Sequence, residues 1–132
     1  MKILPGCILF LPILTIGQLR EFNFYIERKD STVTFRLTSM ETFPCLGYSI
    51  RTVEMWDHDT LVIEIRGFVK PSNCYSTVDA ARKIQPIRAL RSKKFAVKLR
   101  WNDKYDLWLV DATTESVTAK EKQVSFTSWF RD

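Results

Sequence analysis

His58 is the single histidine in this 132-residue chain, so any hydrolytic centre of the Ser–His–Asp or Cys–His kind would have to be assembled around it. It stands in the run Trp56-Asp57-His58-Asp59-Thr60. That composition also suits a hairpin tip, where Asp and its neighbours bond to nearby backbone, and the expectation is a solvent-exposed turn histidine. Asp57 and Asp59 offer carboxylate oxygens to a hard cation such as calcium, but three adjacent residues fall well short of the roughly six to eight oxygens such an ion takes. One histidine and two paired cysteines do not make a zinc centre. The four glycines are not spaced as a phosphate cradle. The 15 acidic residues leave a carboxylate pair for glycoside hydrolysis open, although no spacing favours one. No metal and no cofactor is expected, and catalysis is the weaker of the functional readings.

The cysteines carry a different chemistry, and it depends on the first stretch of chain, MKILPGCILFLPILTIGQ. Lys2 is followed by an apolar block from Ile3 to Ile16, with the small residues Thr15 and Gly17 just before Gln18. This is the plan of a secretory signal peptide, and it predicts a signal over residues 1–17 and one domain over 18–132. A retained membrane anchor is the alternative. A span needs about 20 apolar residues, and this shorter run is interrupted by Pro5, Gly6 and Pro12. Cys7 lies near the front of the block, not at its end as a lipoprotein signal requires.

Removal of the segment takes Cys7 with it and leaves Cys45 and Cys74. An even pair in an oxidising compartment predicts a disulfide; two separate buried thiols are the alternative. Loss of Lys2 brings the net charge from +5 to +4. A mildly basic exported domain favours anionic partners without naming one, and export makes nucleic acid the least suitable of them.

Beyond Gln18 the pattern has a period of two almost throughout. Phe22, Phe24 and Ile26 share one face of the first run, Val33, Phe35 and Leu37 one face of the second, and Lys29-Asp30-Ser31 turns between them. A second hairpin is predicted from about Cys45 to Trp56 and from Thr60 to Val69, with Gly47 a candidate bulge and the apolar set shifting between Ile50 and Val53. The alternation lapses from Lys70 to Arg91. There Ser76 or Thr77 could cap a two-turn helix through VDAARKI, stopped by Pro86. It resumes in KFAVKLRW, which Asn102-Asp103-Lys104 reverses into YDLWLVD as a third hairpin, and in VSFTSWF, with a weaker strand near Ser116 to Ala119.

The predicted fold is all-β, an antiparallel β-sandwich or partly open barrel of about seven to eight short strands with one short helix. Trp56 between the two cysteines suggests an immunoglobulin-like sandwich. The 29-position cysteine spacing is too short for that family's intersheet bridge, however, and Ser72 occupies the place of its tyrosine corner. Any likeness is one of architecture, which does not carry function.

Two surfaces are candidates for binding. The first is a basic strip: Arg82, Lys83, Arg88, Arg91, Lys93, Lys94, Lys98 and Arg100, with no acidic residue between the first and the last. Parity turns Lys94, Lys98 and Arg100 away from Phe95, Val97, Leu99 and Trp101. Such a strip suits an anionic surface or acidic glycan, or is a solvated face with protective lysines. The second is aromatic. With Phe24, Leu107 and Phe126 turned inward, Tyr25, Trp108 and Trp129 face outward and offer rings to a sugar or a protein; if another segment covers them, they are core. These features read as a non-catalytic binding module, secreted or periplasmic. A hydrolase with a carboxylate pair and a structural or inhibitory protein that occludes a partner's surface are the competing classes.

Overall fold

The computed structural model describes residues 20–131; the expected signal segment lies outside them. Nine strands form one sheet: β1 (Phe22–Lys29), β2 (Thr32–Phe43), β3 (Ser49–Asp57), β4 (Thr60–Val69), β5 (Asp79–Pro86), β6 (Lys94–Trp101), β7 (Lys104–Asp111), β8 (Thr118–Gln123) and β9 (Thr127–Trp129). Their order across the sheet is β8-β7-β6-β4-β3-β5-β2-β1-β9. The hairpins β1–β2, β3–β4 and β6–β7 are antiparallel. Parallel pairing joins β4 to β6 and β1 to β9.

The all-β expectation holds, whereas the sandwich, the strand count and the helix do not. One sheet curls into a nearly closed barrel around a single core, and no helix occurs among the described residues. VDAARKI, expected as helix, lies largely in β5 and pairs with β2, Arg36 opposite Ile84 and Leu37 opposite Lys83. Its inward positions are Ala81, Lys83 and Gln85, so its alternation is real but not hydrophobic. A two-turn helix is marginal in isolation, and the partner strand prevails.

Three tight turns share one device. Asp30, His58 and Asn102 each take a left-handed backbone, with φ of 56° to 57°, a region these residue types enter at low cost. Gly47, the expected bulge, lies instead in the loop before β3 with φ of 100°. The irregularity is a register shift between Arg51 and Thr52, opposite a Gly67 whose φ of +144° suits only glycine, and it falls where the apolar set shifts between Ile50 and Val53.

The barrel's two edges meet through side chains. At the centre of this seam lies Asp106, fully buried. Its Oδ1 accepts from the Ser125 amide at 2.9 Å and the Ser125 hydroxyl at 3.0 Å. Its Oδ2 accepts from the amides of Phe126 at 2.9 Å and Thr127 at 2.8 Å and from the Thr127 hydroxyl at 2.6 Å. At one end Arg28 donates to the carbonyls of Ala112 and Thr113. At the other, Glu21 accepts from the Trp101 indole at 3.1 Å and from the Lys104 ammonium.

The hydrogen bond from Lys104 holds the Glu21 carboxyl below its ordinary value of 4.5, against the opposing effect of partial burial. A depressed folded pKa gives stability that is present above the unfolded value and lost as pH falls through the folded one. Lys104→Met is therefore expected to flatten the acid limb of the stability curve below about pH 4.5 and to leave the neutral region less stable by under ~1 kcal/mol, read by urea unfolding at pH 3 and pH 7.

Candidate functional site

Inward packing of Phe95, Val97 and Leu99 forces Lys94, Lys98 and Arg100 to the outside of β6. β4 and β7 flank that face. Lys98 lies beside Val62 of β4 and Leu107 of β7, and Arg100 beside Glu64 and Tyr105. The Lys98 ammonium sits 4.4 Å from the centre of the Tyr105 ring, within reach of a cation–π attraction. Glu64, the nearest carboxylate on β4, is engaged by Arg66 at 2.7 Å. Lys98 and Arg100 make no ion pair among the described residues, so the outer face carries two uncompensated cations.

These cations border a shallow depression of about 550 Å³ that includes Val62, Leu107, Tyr105 and the half-exposed Met55. Its one acidic residue, Asp57, is engaged with His58 at 2.9 Å. An adjoining depression of about 440 Å³ shares Arg100 and Tyr105 but mixes Glu64 and Asp103 with Arg66 and Lys104. An anion is favoured in the first and opposed by carboxylates in the second.

The remaining basic residues of the predicted strip are distributed over other parts of the barrel. Arg82 projects from β5 and pairs with Asp79 at 2.8 Å; that bond, helped by the Ala80 amide, holds the Asp79 carboxyl below the usual range. Lys83 lies half-buried on the opposite side of β5, and Arg88, Arg91 and Lys93 lie in the connection to β6. Lys94 begins β6, 4.0 Å from an Asp111 whose carboxyl is held low chiefly by the Thr113 hydroxyl. Of the strip, the fold brings Lys98 and Arg100 together around one apolar floor.

The aromatic surface requires a correction. Trp108 is turned inward and only 3% exposed; its indole donates to the Thr127 hydroxyl at 2.9 Å and packs against Phe24 and Trp129. Tyr25 and Trp129 are half-buried, their rings 4.9 Å apart. The cause is Asp106: drawing that carboxylate inside fixes the parity of β7, which places Asp106, Trp108 and Val110 inward and Tyr105, Leu107 and Leu109 outward. Leu107, expected inside, therefore faces out. Tyr105 is the aromatic residue that parity alone would have missed.

His58 is an exposed turn residue whose ring reaches Asp57 and no nucleophile. Among the described residues no three metal-ligating side chains converge. Cys45 and Cys74 form the predicted disulfide, their Cα atoms 5.2 Å apart, and it ties the loop before β3 to the one before β5. No family model, curated protein or solved structure matches this chain. The functional reading therefore rests on the surface itself.

Proposed function

We propose that the chain is a small exported binding module without chemistry of its own, and that it engages an anionic ligand through the outer face of β4, β6 and β7. The observation that carries this reading is the pairing of two uncompensated cations, Lys98 and Arg100, with an aromatic and apolar floor of Tyr105, Val62 and Leu107. Charge alone would give non-specific attraction. An apolar floor between the charges adds contact with the body of a ligand, as an acidic sugar presents below its sulfate or carboxylate. Export is supported by the disulfide, a bond that persists in oxidising compartments, and by the apolar leading segment, which carries the plan of a signal.

Heparin is a suitable probe. Lys98→Glu with Arg100→Glu is expected to lower retention strongly, whereas Lys94→Glu, made beside Asp111, should cost much less. Two partly desolvated charge contacts reversed together correspond to a change of about tenfold or more in affinity at moderate salt. Equal losses from the two variants would reduce the site to bulk charge, and unchanged retention would remove it.

A further inference from the structure

The sheet is not continuous on the side opposite the seam. β3 and β5 are register partners only at Ser49 and Arg82. Beyond that point the strands are bridged by side chains: Gln85 donates to Glu54, and the Trp56 indole donates to the Arg88 carbonyl at 2.8 Å. Between them opens a cleft of about 190 Å³ lined by Phe35, Trp56, Leu61 and Ile87, with Glu54 the one carboxylate on its wall and Arg88, which makes no ion pair with Glu54, the one cation. Ala89, at its rim, is held in the left-handed region with φ of 58°, a conformation that costs a residue with a Cβ about 1 kcal/mol or more.

Glu54 is the unusual member of this lining. Its parity along β3 is that of Ile50 and Trp56, so it points toward the barrel interior. Both carboxylate oxygens accept a neutral donor, Thr52 Oγ1 on Oε2 and Gln85 Nε2 on Oε1. No lysine or arginine among the described residues pairs with it, in a chain whose net charge is +5. A half-buried carboxylate without a countercharge is costly unless something supplies one. Each oxygen keeps a further lone pair, and the Thr52 and Gln85 bonds fix the group in place. The volume is smaller than the range of about 300 Å³ and above that drug-sized ligands occupy. It admits a short chain.

We infer that the β3–β5 cleft is a binding site for a primary alkylammonium group, with Glu54 as counter-ion, Phe35, Leu61 and Ile87 around the alkyl stem and Trp56 against the charged end. The ammonium donates to the free lone pairs of Glu54, a bond with charge on both partners and so stronger than those from the neutral donors Thr52 and Gln85. An indole is the best of the aromatic faces for a cation. The cleft shares Met55 and Trp56 with the margin of the basic outer depression but takes the opposite charge, and Glu54 belongs to the cleft alone, so Glu54→Gln tests this site apart from Lys98 and Arg100.

The test uses n-butylammonium as probe and the folded, oxidised protein. The Trp56 indole N–H, bonded to Arg88, is a single reporter within the cleft, followed by ¹⁵N-resolved NMR. Butylammonium is expected to shift it saturably, and n-butanol, matched in shape but neutral, to bind at least about tenfold more weakly. Glu54→Gln keeps the shape and an acceptor for Gln85, and is expected to lower butylammonium affinity by about the same factor while leaving n-butanol unchanged. Equal binding of the two probes, or undiminished butylammonium binding by Glu54→Gln, would show an apolar slot and overturn the inference. No saturable shift of the Trp56 signal would overturn it as well. A peptide with a single lysine, tested beside butylammonium, distinguishes a protein-borne ammonium from a free one: Glu54-dependent binding of either supports the site, and binding of neither overturns it.

Discussion

Asp106→Ala is expected to destabilise the domain by about 4 to 6 kcal/mol, measured by urea unfolding with the disulfide intact. Removal of the carboxylate deprives three backbone amides and two hydroxyls of their acceptor; those of Phe126 and Thr127 are closed to solvent, whereas Ser125 is exposed. An unsatisfied buried donor costs about 1 to 3 kcal/mol. Water entering the vacated space recovers part of that. Asp106→Asn tests the same account more finely, because the amide fills the space but cannot accept everywhere a carboxylate does; a loss of about 2 to 3 kcal/mol is expected. The Trp108 indole, bonded to Thr127, should become accessible to a fluorescence quencher in Asp106→Ala. A loss below about 1 kcal/mol with Trp108 still shielded would show that the seam is held by apolar packing alone.

The second large effect concerns the bridge. Replacing Cys45 and Cys74 together by serine is expected to cost about 3 to 4 kcal/mol, the loop-closure value for a separation of 29 residues. Cys45 is fully buried, so Cys45→Ala with Cys74→Ser is the cleaner pair: it avoids burying a hydroxyl at the first position. The bridge lies beside the stacked rings of Phe43 and Tyr48, 4.4 Å apart, and beside the isolated pairing of Leu46 with Tyr75. Those loop contacts should loosen first, visible as faster amide exchange at Leu46, whose amide donates to the Tyr75 carbonyl. Reduction with dithiothreitol should reproduce the loss in the unaltered protein and leave the double variant unaffected.

The three hairpins and the disulfide were legible in the residues, because each rests on local information: alternating apolar positions, turn formers, an even number of cysteines. Strand order was not. Period-two alternation states which face of a strand is buried but not which strand lies beside it, and a curled sheet and a sandwich share that alternation. β5 escaped because only Ala81 of its inward positions is apolar core, while Lys83 and Gln85 lie beside the β3–β5 opening, where the strand needs no large hydrophobic side chain. The parity of β7 was inverted because hydrophobicity places leucine inside before aspartate. Asp106 reverses that order only through amides about twenty positions away, and no pattern within the strand signals them. The same inversion moved the candidate site: Tyr105 came to the surface beside Lys98, and Trp108 left it.

The parallel pairing of β1 with β9, Phe22 beside Thr127, has a consequence for how the domain is made. The contact joins residues more than a hundred positions apart, whereas each hairpin closes within a few, so the long-range pairing follows the local ones in an order set by chain entropy. The first eight strands can assemble with the Asp106 carboxylate still hydrated, and the barrel locks only when the ninth strand joins β1. Until then Phe24 and Trp108 form an open apolar margin, the part of the folding chain most in need of a chaperone.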